Sequence, residues 1–195
     1  MKELKRVHTL DELIAENKRL RRMLLTDELT GVYNFRHLVK QIDIEVEESK
    51  RSNAPLSVIM ADIDHFKKTN DDHGHVVGNT ILKQFSNVLS KSVRSHDIVC
   101  RFGGEEFVII LPNTAMNVAS EIAERTRLAV EKGIYGNYKA SVIMTCSFGV
   151  TDLQSIDEDT LIRDNPSDYS SKLLQKADHN LYQAKAAGRN QVFSD

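Results

Sequence analysis

Arg101-Phe102-Gly103-Gly104-Glu105-Glu106-Phe107 sets two carboxylates directly after two glycines. Apolar runs flank it, Ile98-Val99-Cys100 before and Phe107-Val108-Ile109-Ile110-Leu111 after. The pattern predicts a β-hairpin with Gly103-Gly104 at the turn, since glycine takes positive φ without strain. Glu105 and Glu106 then stand just past the turn, on opposite faces of the second strand. Bare glycines would also let a ligand's base or ribose approach the backbone closely. Alone, the stretch also fits an ordinary hairpin with a solvated acidic pair. A second cluster, Asp62-Ile63-Asp64, ends the apolar run 56–61, which reads as a buried strand. Two strand ends presenting carboxylates are what a divalent-metal nucleotidyl-transfer site requires.

The elements that must position these groups follow from periodicity. Residues 1 to about 26 lack Gly and Pro, and Leu10, Leu13, Asn17, Leu20 and Leu24 recur at alternating spacings of three and four. That is a coiled-coil seam, with Asn17 at a register-setting position that favours a dimer; a single amphipathic helix lying on its own domain is the alternative. The polar break at Thr26 and Asp27 divides the chain into an N-terminal helix, 1–26, and a domain, 27–195. A helix from Asn34 to about Ser52 carries Phe35, Leu38, Ile42 and Val46 on one face and stops at Asn53-Ala54-Pro55. The strand 56–62 leads into a loop carrying His65, Phe66, Lys67, Asn70, His73 and His75. A helix over 78–92, the hairpin 97–111, a helix over 115–131, a long strand 140–151 and an acidic loop 152–167 come next. A last helix, 168–187, ends at Gly188, and 191–193 forms an edge strand. The order β-α-β-β-α-β predicts an α+β, ferredoxin-like or palm-type fold, a mainly antiparallel sheet with helices on one face.

Composition bounds the function. The 195 residues are 41% hydrophobic and 28% charged with a net charge of −2, an ordinary globular balance without a basic footprint for nucleic acid. No apolar run approaches a membrane span, and no signal peptide opens the chain, so the expected place is the cytoplasm. Cys100 and Cys146 lie in apolar strands and read as packing residues. His65, His73 and His75 match no zinc spacing and read as loop packing.

The glycine–glutamate stretch resembles the signature of the GGDEF family, the diguanylate cyclases of bacteria, in a GGEEF form. Asp27-Glu-Leu-Thr-Gly-Val-Tyr-Asn34, Asp62-Ile-Asp-His-Phe-Lys-Lys-Thr-Asn-Asp71 and Ala177-Asp-His-Asn-Leu-Tyr-Gln-Ala-Lys-Ala-Ala-Gly-Arg-Asn190 extend the resemblance, in family order, over residues 27 to 193. It implies a palm-type nucleotidyl cyclase fold and condensation of two GTP molecules to cyclic di-GMP, with two pyrophosphates released. Each domain would hold one GTP, and two such sites would face each other in a homodimer. Two Mg²⁺ (or Mn²⁺) per site are implied, with Asp62 and Glu105 as principal ligands and the Ile63 carbonyl assisting. Glu106 would be a ligand or help deprotonate the attacking 3′-hydroxyl. Asp64 is expected to point away from Asp62, and a structural role is equally open to it. The backbone amides of Ile63, Asp64, His65, Phe66 and Lys67 would cradle the terminal phosphates. Lys185 and Arg189, four apart on the last helix, would reach the same phosphates. Gly103 and Gly104 would lie against substrate.

One position departs from the family. A carboxylate usually follows the glycine at 78 and reads guanine together with Asn70; here it is Asn79. An amide offers one acceptor where guanine presents two donors, and it can also pair with adenine, so ATP use alongside GTP, giving cyclic GMP-AMP, becomes an expectation. Arg94-Ser-His-Asp97 lies five residues before the signature and resembles the family's inhibitory cyclic di-GMP site, with Arg125 as the secondary arginine of a partner domain. A catalytically silent receptor for GTP or cyclic di-GMP is the rival from another class. An upstream sensor usually precedes such helices and is expected as a partner; none is among these residues.

Overall fold

The computed structural model describes residues 9–138, 140–157 and 165–195. Residues 1–8 of the predicted first helix and 158–164 of the predicted acidic loop lie outside them. The chain runs α1 (Leu10–Leu25), α2 (Phe35–Ser52), β1 (Leu56–Ile63), α3 (Phe66–His73), α4 (His75–Ser92), β2 (Ile98–Gly103) and β3 (Glu106–Pro112). It continues through α5 (Met116–Glu131), β4 (Tyr135–Asn137), β5 (Ala140–Val142), β6 (Cys146–Asp152), α6 (Pro166–Ala186) and β7 (Val192–Ser194).

Helix α1 starts in a capping box: the Thr9 amide donates to Glu12 Oε2 at 2.9 Å and the Glu12 amide to Thr9 Oγ1 at 3.2 Å. Its apolar residues Leu10, Leu13, Ile14, Leu20, Met23 and Leu24 are all exposed, so the expected alternative of a helix lying on its own domain is not what forms. Asn34 joins α1 to α2. Its amide nitrogen donates to Leu24 O and Thr26 O, its backbone N–H to Leu25 O, and its Oδ1 caps the His37 amide.

The main sheet has the order β2-β3-β1-β6-β7, antiparallel except for the β6–β7 pair. Strand β1 is central and buried along its whole length, which explains its unbroken apolar run. Both faces are covered rather than one. Val77, Ile81, Leu82 and Phe85 of α4, with Ile122, Ala123 and Val130 of α5, pack against Ile59, Phe107, Ile109 and Phe148. Leu38, Ile42 and Val46 of α2, with Leu173, Ala177 and Leu181 of α6, pack against Val58, Met60, Val108 and Ile110. Phe85 and Phe107 meet edge-on at 5.2 Å across the first layer.

Three element predictions change. The loop after β1 contains α3, which escapes a periodicity search because only Phe66 on it is buried. Helix α4 begins at His75, so Gly78 lies inside it, where any Cβ would collide with Asn70 Oδ1 and crowd the Phe66 ring. The predicted strand 140–151 is broken at 143–145: β5 pairs with β4 in a separate two-stranded sheet, while β6 joins β1.

Gly149 of β6 lets α6 approach, because a Cβ there would run into Ala177 O and Leu181 N of the helix backbone. Gly149→Ala is therefore expected to destabilise the fold by about 2 kcal/mol or more, as overpacking against backbone does. Urea unfolding checks this; an unchanged midpoint would mean that α6 has room to shift.

Candidate active site

The carboxylates converge where β1 ends beside the β2–β3 turn. Asp62 stands directly opposite Glu106 in the β1–β3 ladder and opposite Ser147 in the β1–β6 ladder, so these side chains share a face. The turn itself is shifted by one residue from expectation. Gly103 ends β2, Gly104 takes φ +50°, and Glu105 occupies the turn while Glu106 opens β3. Register slips between Arg101 and Gly103, leaving one residue unpaired. Glu105 thus projects from a turn instead of alternating on the strand. Open space lies over Gly103 and Gly104, room enough for a ligand to touch the backbone.

Lys185, in the last turn of α6, places Nζ 2.8 Å from Asp62 Oδ2. Asp62 is only 6% exposed. Its carboxyl is pushed up to about 6, chiefly by burial, with Lys185 opposing and Glu105 and Glu106 adding to the rise. Burial likewise raises Glu106, with Lys185 opposing and with Asp178 and Glu105 adding to the rise. Asp178 was not foreseen as a member of this cluster, although it lies seven residues before Lys185 and so on the same face of α6.

Asp64 corrects an expectation. Two residues beyond Asp62, it falls on the same face, as the period of two requires, and differs in its partners. It accepts from Thr145 Oγ1 and Ser147 Oγ at 2.7 Å each and from the Asn190 amide at 3.0 Å. Its own amide donates to Thr145 O, so this N–H is not offered to a phosphate. The amides of His65, Phe66 and Lys67 open the first turn of α3, where no partner exists within the helix. His65 precedes it at φ +57°, Lys67 is exposed, and the Phe66 side chain is core. Arg189 is not on the last helix: α6 ends at Ala186, and Arg189 and Asn190 follow at φ +66° and +47°.

A second unforeseen contact braces the turn. Arg101 donates from Nε and Nη2 to Gly104 O at 3.0 and 2.7 Å, and from Nη1 to both oxygens of Asp27 at 3.1 and 3.2 Å. Burial would raise the Asp27 carboxyl, but hydrogen bonds from Thr30 and the Arg101 cation outweigh it and hold it below the ordinary carboxylate range.

Asn70 is half-buried against Gly78, and Asn79 is exposed on the following residue of α4. Away from the carboxylates, the Arg94 amide donates to Asp97 Oδ2 at 2.7 Å, and Arg125 Nη2 donates to Ser92 O of the same chain at 2.6 Å. The Asp97 side chain is 1% exposed, its Oδ1 lacks a hydrogen-bond partner, and His96 Nε2 lies 3.6 Å away. A cavity of about 540 Å³, lined by Leu25, Thr26, Tyr33, Arg94, Asp97 and Val99 among others, adjoins it.

Asp62, Glu105, Glu106 and the Ile63 carbonyl offer oxygen donors only, a set that suits a hard divalent cation. Among the described residues no three His, Cys, Asp or Glu side chains form a ready-made metal centre.

The sequence model of "Diguanylate cyclase, GGDEF domain" matches residues 24–191. The response regulator PleD of Caulobacter vibrioides is 38% identical over 172 residues, covering 87% of this chain and 36% of PleD. The solved diguanylate cyclase SiaD of Pseudomonas aeruginosa, in complex with its activator SiaC, superposes with a TM-score of 0.80 at 29% identity, over 95% of this chain and 67% of that one. The coiled coil and GGDEF domain of DgcB from Caulobacter crescentus, in complex with c-di-GMP, gives 0.83 over 95% and 93% of the two chains at 24% identity, a likeness of fold. The chain belongs to the GGDEF domain family of diguanylate cyclases. It spans about a third of the length of PleD.

The charge arrangement fixes the sign of a titration. In the cation-free protein the Asp62 carboxyl is expected to titrate near pH 6, protonated below and charged above. Lys185→Met removes the nearest positive charge and moves that midpoint up; an added divalent cation moves it down. Carboxyl ¹³C shifts across pH 4–8 report both directions, and a midpoint near 4 in the parent protein would contradict the burial argument.

Proposed function

We propose that this chain is the catalytic part of a diguanylate cyclase, joining two GTP molecules into cyclic di-GMP with loss of two pyrophosphates. The observation that carries it is Asp62 and Glu106 paired across the ladder, with Glu105 in the adjoining turn and Lys185 against Asp62. The family match supports the reaction class. The N-terminal segment, 1–26, of which α1 covers Leu10–Leu25, would serve dimerisation, and 27–195 would be the catalytic domain. The exposed apolar stripe of α1 suits pairing with a second copy, and facing domains would each supply one nucleotide. In the reaction each 3′-oxygen forms a bond to the partner nucleotide's α-phosphorus, the bond to the bridging oxygen of pyrophosphate breaks, and the 3′-proton leaves. Asp62, Glu105 and the Ile63 carbonyl would hold Mg²⁺ or Mn²⁺, two per site. When bound, these ions supply Lewis-acid polarisation and charge neutralisation. Glu106 either joins them or helps take the 3′-proton. Lys185 neutralises Asp62 in the nucleotide-free protein and, with Arg189 and the amides at the start of α3, faces the terminal phosphates.

Base recognition falls to Asn70 and Asn79. Gly78 leaves space for the Asn70 side chain, and the exposed Asn79 amide offers one acceptor and one donor. Its single acceptor supports a second reading, in which ATP is also used and cyclic GMP-AMP forms. Product feedback is proposed at Arg94 and Asp97: the buried, unpartnered Asp97 Oδ1 beside a cavity suits a guanine N–H, and Arg94 suits its Hoogsteen edge. Arg125, bound to Ser92 O of its own chain, stands next to that loop. No described helix is long and apolar enough to cross a membrane, and work in the bacterial cytoplasm downstream of a sensor is part of this reading.

Product analysis by mass spectrometry, with Mg²⁺ and equal GTP and ATP, tests the proposal. Cyclic di-GMP is expected, reduced at least about a hundredfold by Glu105→Ala, since loss of a ligand should cost no less than loss of its supporting groups. Any cyclic GMP-AMP should fall in Asn79→Asp, and Arg94→Ala should relieve product inhibition. Absence of every cyclic dinucleotide, with GTP or cyclic di-GMP still bound, would replace this reading with a receptor.

A further inference from the structure

Arg127 of α5 is buried to 11% side-chain exposure, and all three of its guanidinium nitrogens donate hydrogen bonds. Nε and Nη2 donate to Glu124 at 2.9 and 2.8 Å; Nη1 donates to Glu131 at 3.1 Å and to Asn190 Oδ1 at 2.8 Å. Asn190 closes the circuit. Its Nδ2 donates to Glu131 Oε1 at 2.7 Å, and its backbone amide reaches Asp64 Oδ2 at 3.0 Å. Asn190 is thus tied on one side to α5 and on the other to the end of β1, two residues from Asp62.

We propose that Arg127 is a positioning residue for Arg189, acting through Asn190, so that the guanidinium of Arg189 meets the terminal phosphates of the bound nucleotide. The inference rests on the reading that Arg189 is a phosphate-binding group. Arg189 is exposed and has left the helix, and its backbone is anchored on either side. Upstream its amide donates to Ala184 O at 3.0 Å. Downstream it passes directly into Asn190. Both residues hold left-handed φ values of +66° and +47°, a conformation that asparagine tolerates but that arginine takes only rarely, so restraint from the adjoining chain favours it at Arg189. Arg127 and Asp64 supply that restraint. The planar fork of Arg127 satisfies Glu124, Glu131 and Asn190 together, which a lysine ammonium on a flexible stem would not do in one geometry. A merely structural buried ion cluster would stabilise α5 and the chain end without discriminating between ligands. A positioning role predicts a loss confined to nucleotides with terminal phosphates.

The test uses 3′-deoxy-GTP with Mg²⁺, which cannot cyclise, and GMP, which lacks the terminal phosphates, as equilibrium probes. Arg127→Leu is expected to weaken 3′-deoxy-GTP binding roughly tenfold, the scale of a displaced supporting group, and GMP binding by no more than about twofold. Asn190→Gly, which keeps the positive φ accessible and deletes only the side-chain bonds, is expected to do the same, and it serves if Arg127→Leu does not fold. Combined with Arg189→Ala, either substitution should add nothing, because it acts through a group already gone. Equal losses for both nucleotides, or losses that multiply with Arg189→Ala, would overturn the proposal. A parent protein that makes no cyclic dinucleotide yet shows the triphosphate-specific loss would overturn the cyclase reading and uphold the role of Arg127.

Discussion

Asp62 is a carboxylate at the end of a strand buried on both faces, and the single amine of Lys185 makes its charge tolerable. Breaking a buried pair by removing one partner costs on the order of 3–5 kcal/mol, a large part of the roughly 5–15 kcal/mol that holds a domain folded. Much of the architecture serves to deliver that amine. Helix α6 must lie close against β6, which Gly149 permits and which Asn180 reinforces by donating to Val150 O at 2.7 Å. Leu173, Ala177 and Leu181 anchor the same helix in the layer shared with α2. With Glu105, Glu106 and Asp178 nearby, the negative charge exceeds what one lysine neutralises. Such an excess is a feature of sites that await a cation rather than of sites built for stability.

Arg101 imposes a matching constraint from the opposite side. It holds the turn carbonyl at Gly104 and reaches Asp27, two residues beyond the end of α1. Asn34 collects the last carbonyls of α1 and caps α2. The segment between them extends the sheet edge, since Tyr33 donates to Val99 O and accepts from the Arg101 amide. The helix, the turn carrying Glu105 and the edge of β2 are therefore joined by short polar contacts, not by a pliant linker. Whatever fixes the direction of α1 also fixes where this turn points.

The sequence carried the sheet and the carboxylates because both leave strong local signals. A strand buried on two faces is an unbroken apolar run, as at 56–61, and Gly-Gly between two such runs marks a hairpin. Helix α3 left no such signal: one buried phenylalanine in eight residues has no period to detect. The break at 143–145 was hidden because both pieces are extended and only their pairing partners differ. Arg189 was placed on a helix because four-residue spacing continues arithmetically past Ala186, where the backbone does not. Gly188, immediately before it, was the available warning. The links from Arg101 to Asp27 and from Arg127 to Asn190 span 74 and 63 residues; separations of that size have no period to read, and only the fold brings them together.

The carboxylate cluster is open on one side. The space over Gly103 and Gly104 is unfilled, and Arg189 is exposed. One domain can hold the phosphates and base of one nucleotide, but on the proposed reading the attacking hydroxyl belongs to a second nucleotide that must arrive from outside. A site with a closing lid of its own would obstruct that approach, so openness here is a requirement of the chemistry. On the same proposed reading, the exposed stripe of α1 has a physical purpose beyond holding two copies together. Because α1 is locked to the turn through Asn34, Asp27 and Arg101, pairing two such helices constrains the angle at which two open sites meet. On that reading synthesis depends on that angle, so a change in the pairing of α1 would start or stop it without altering any residue that touches substrate.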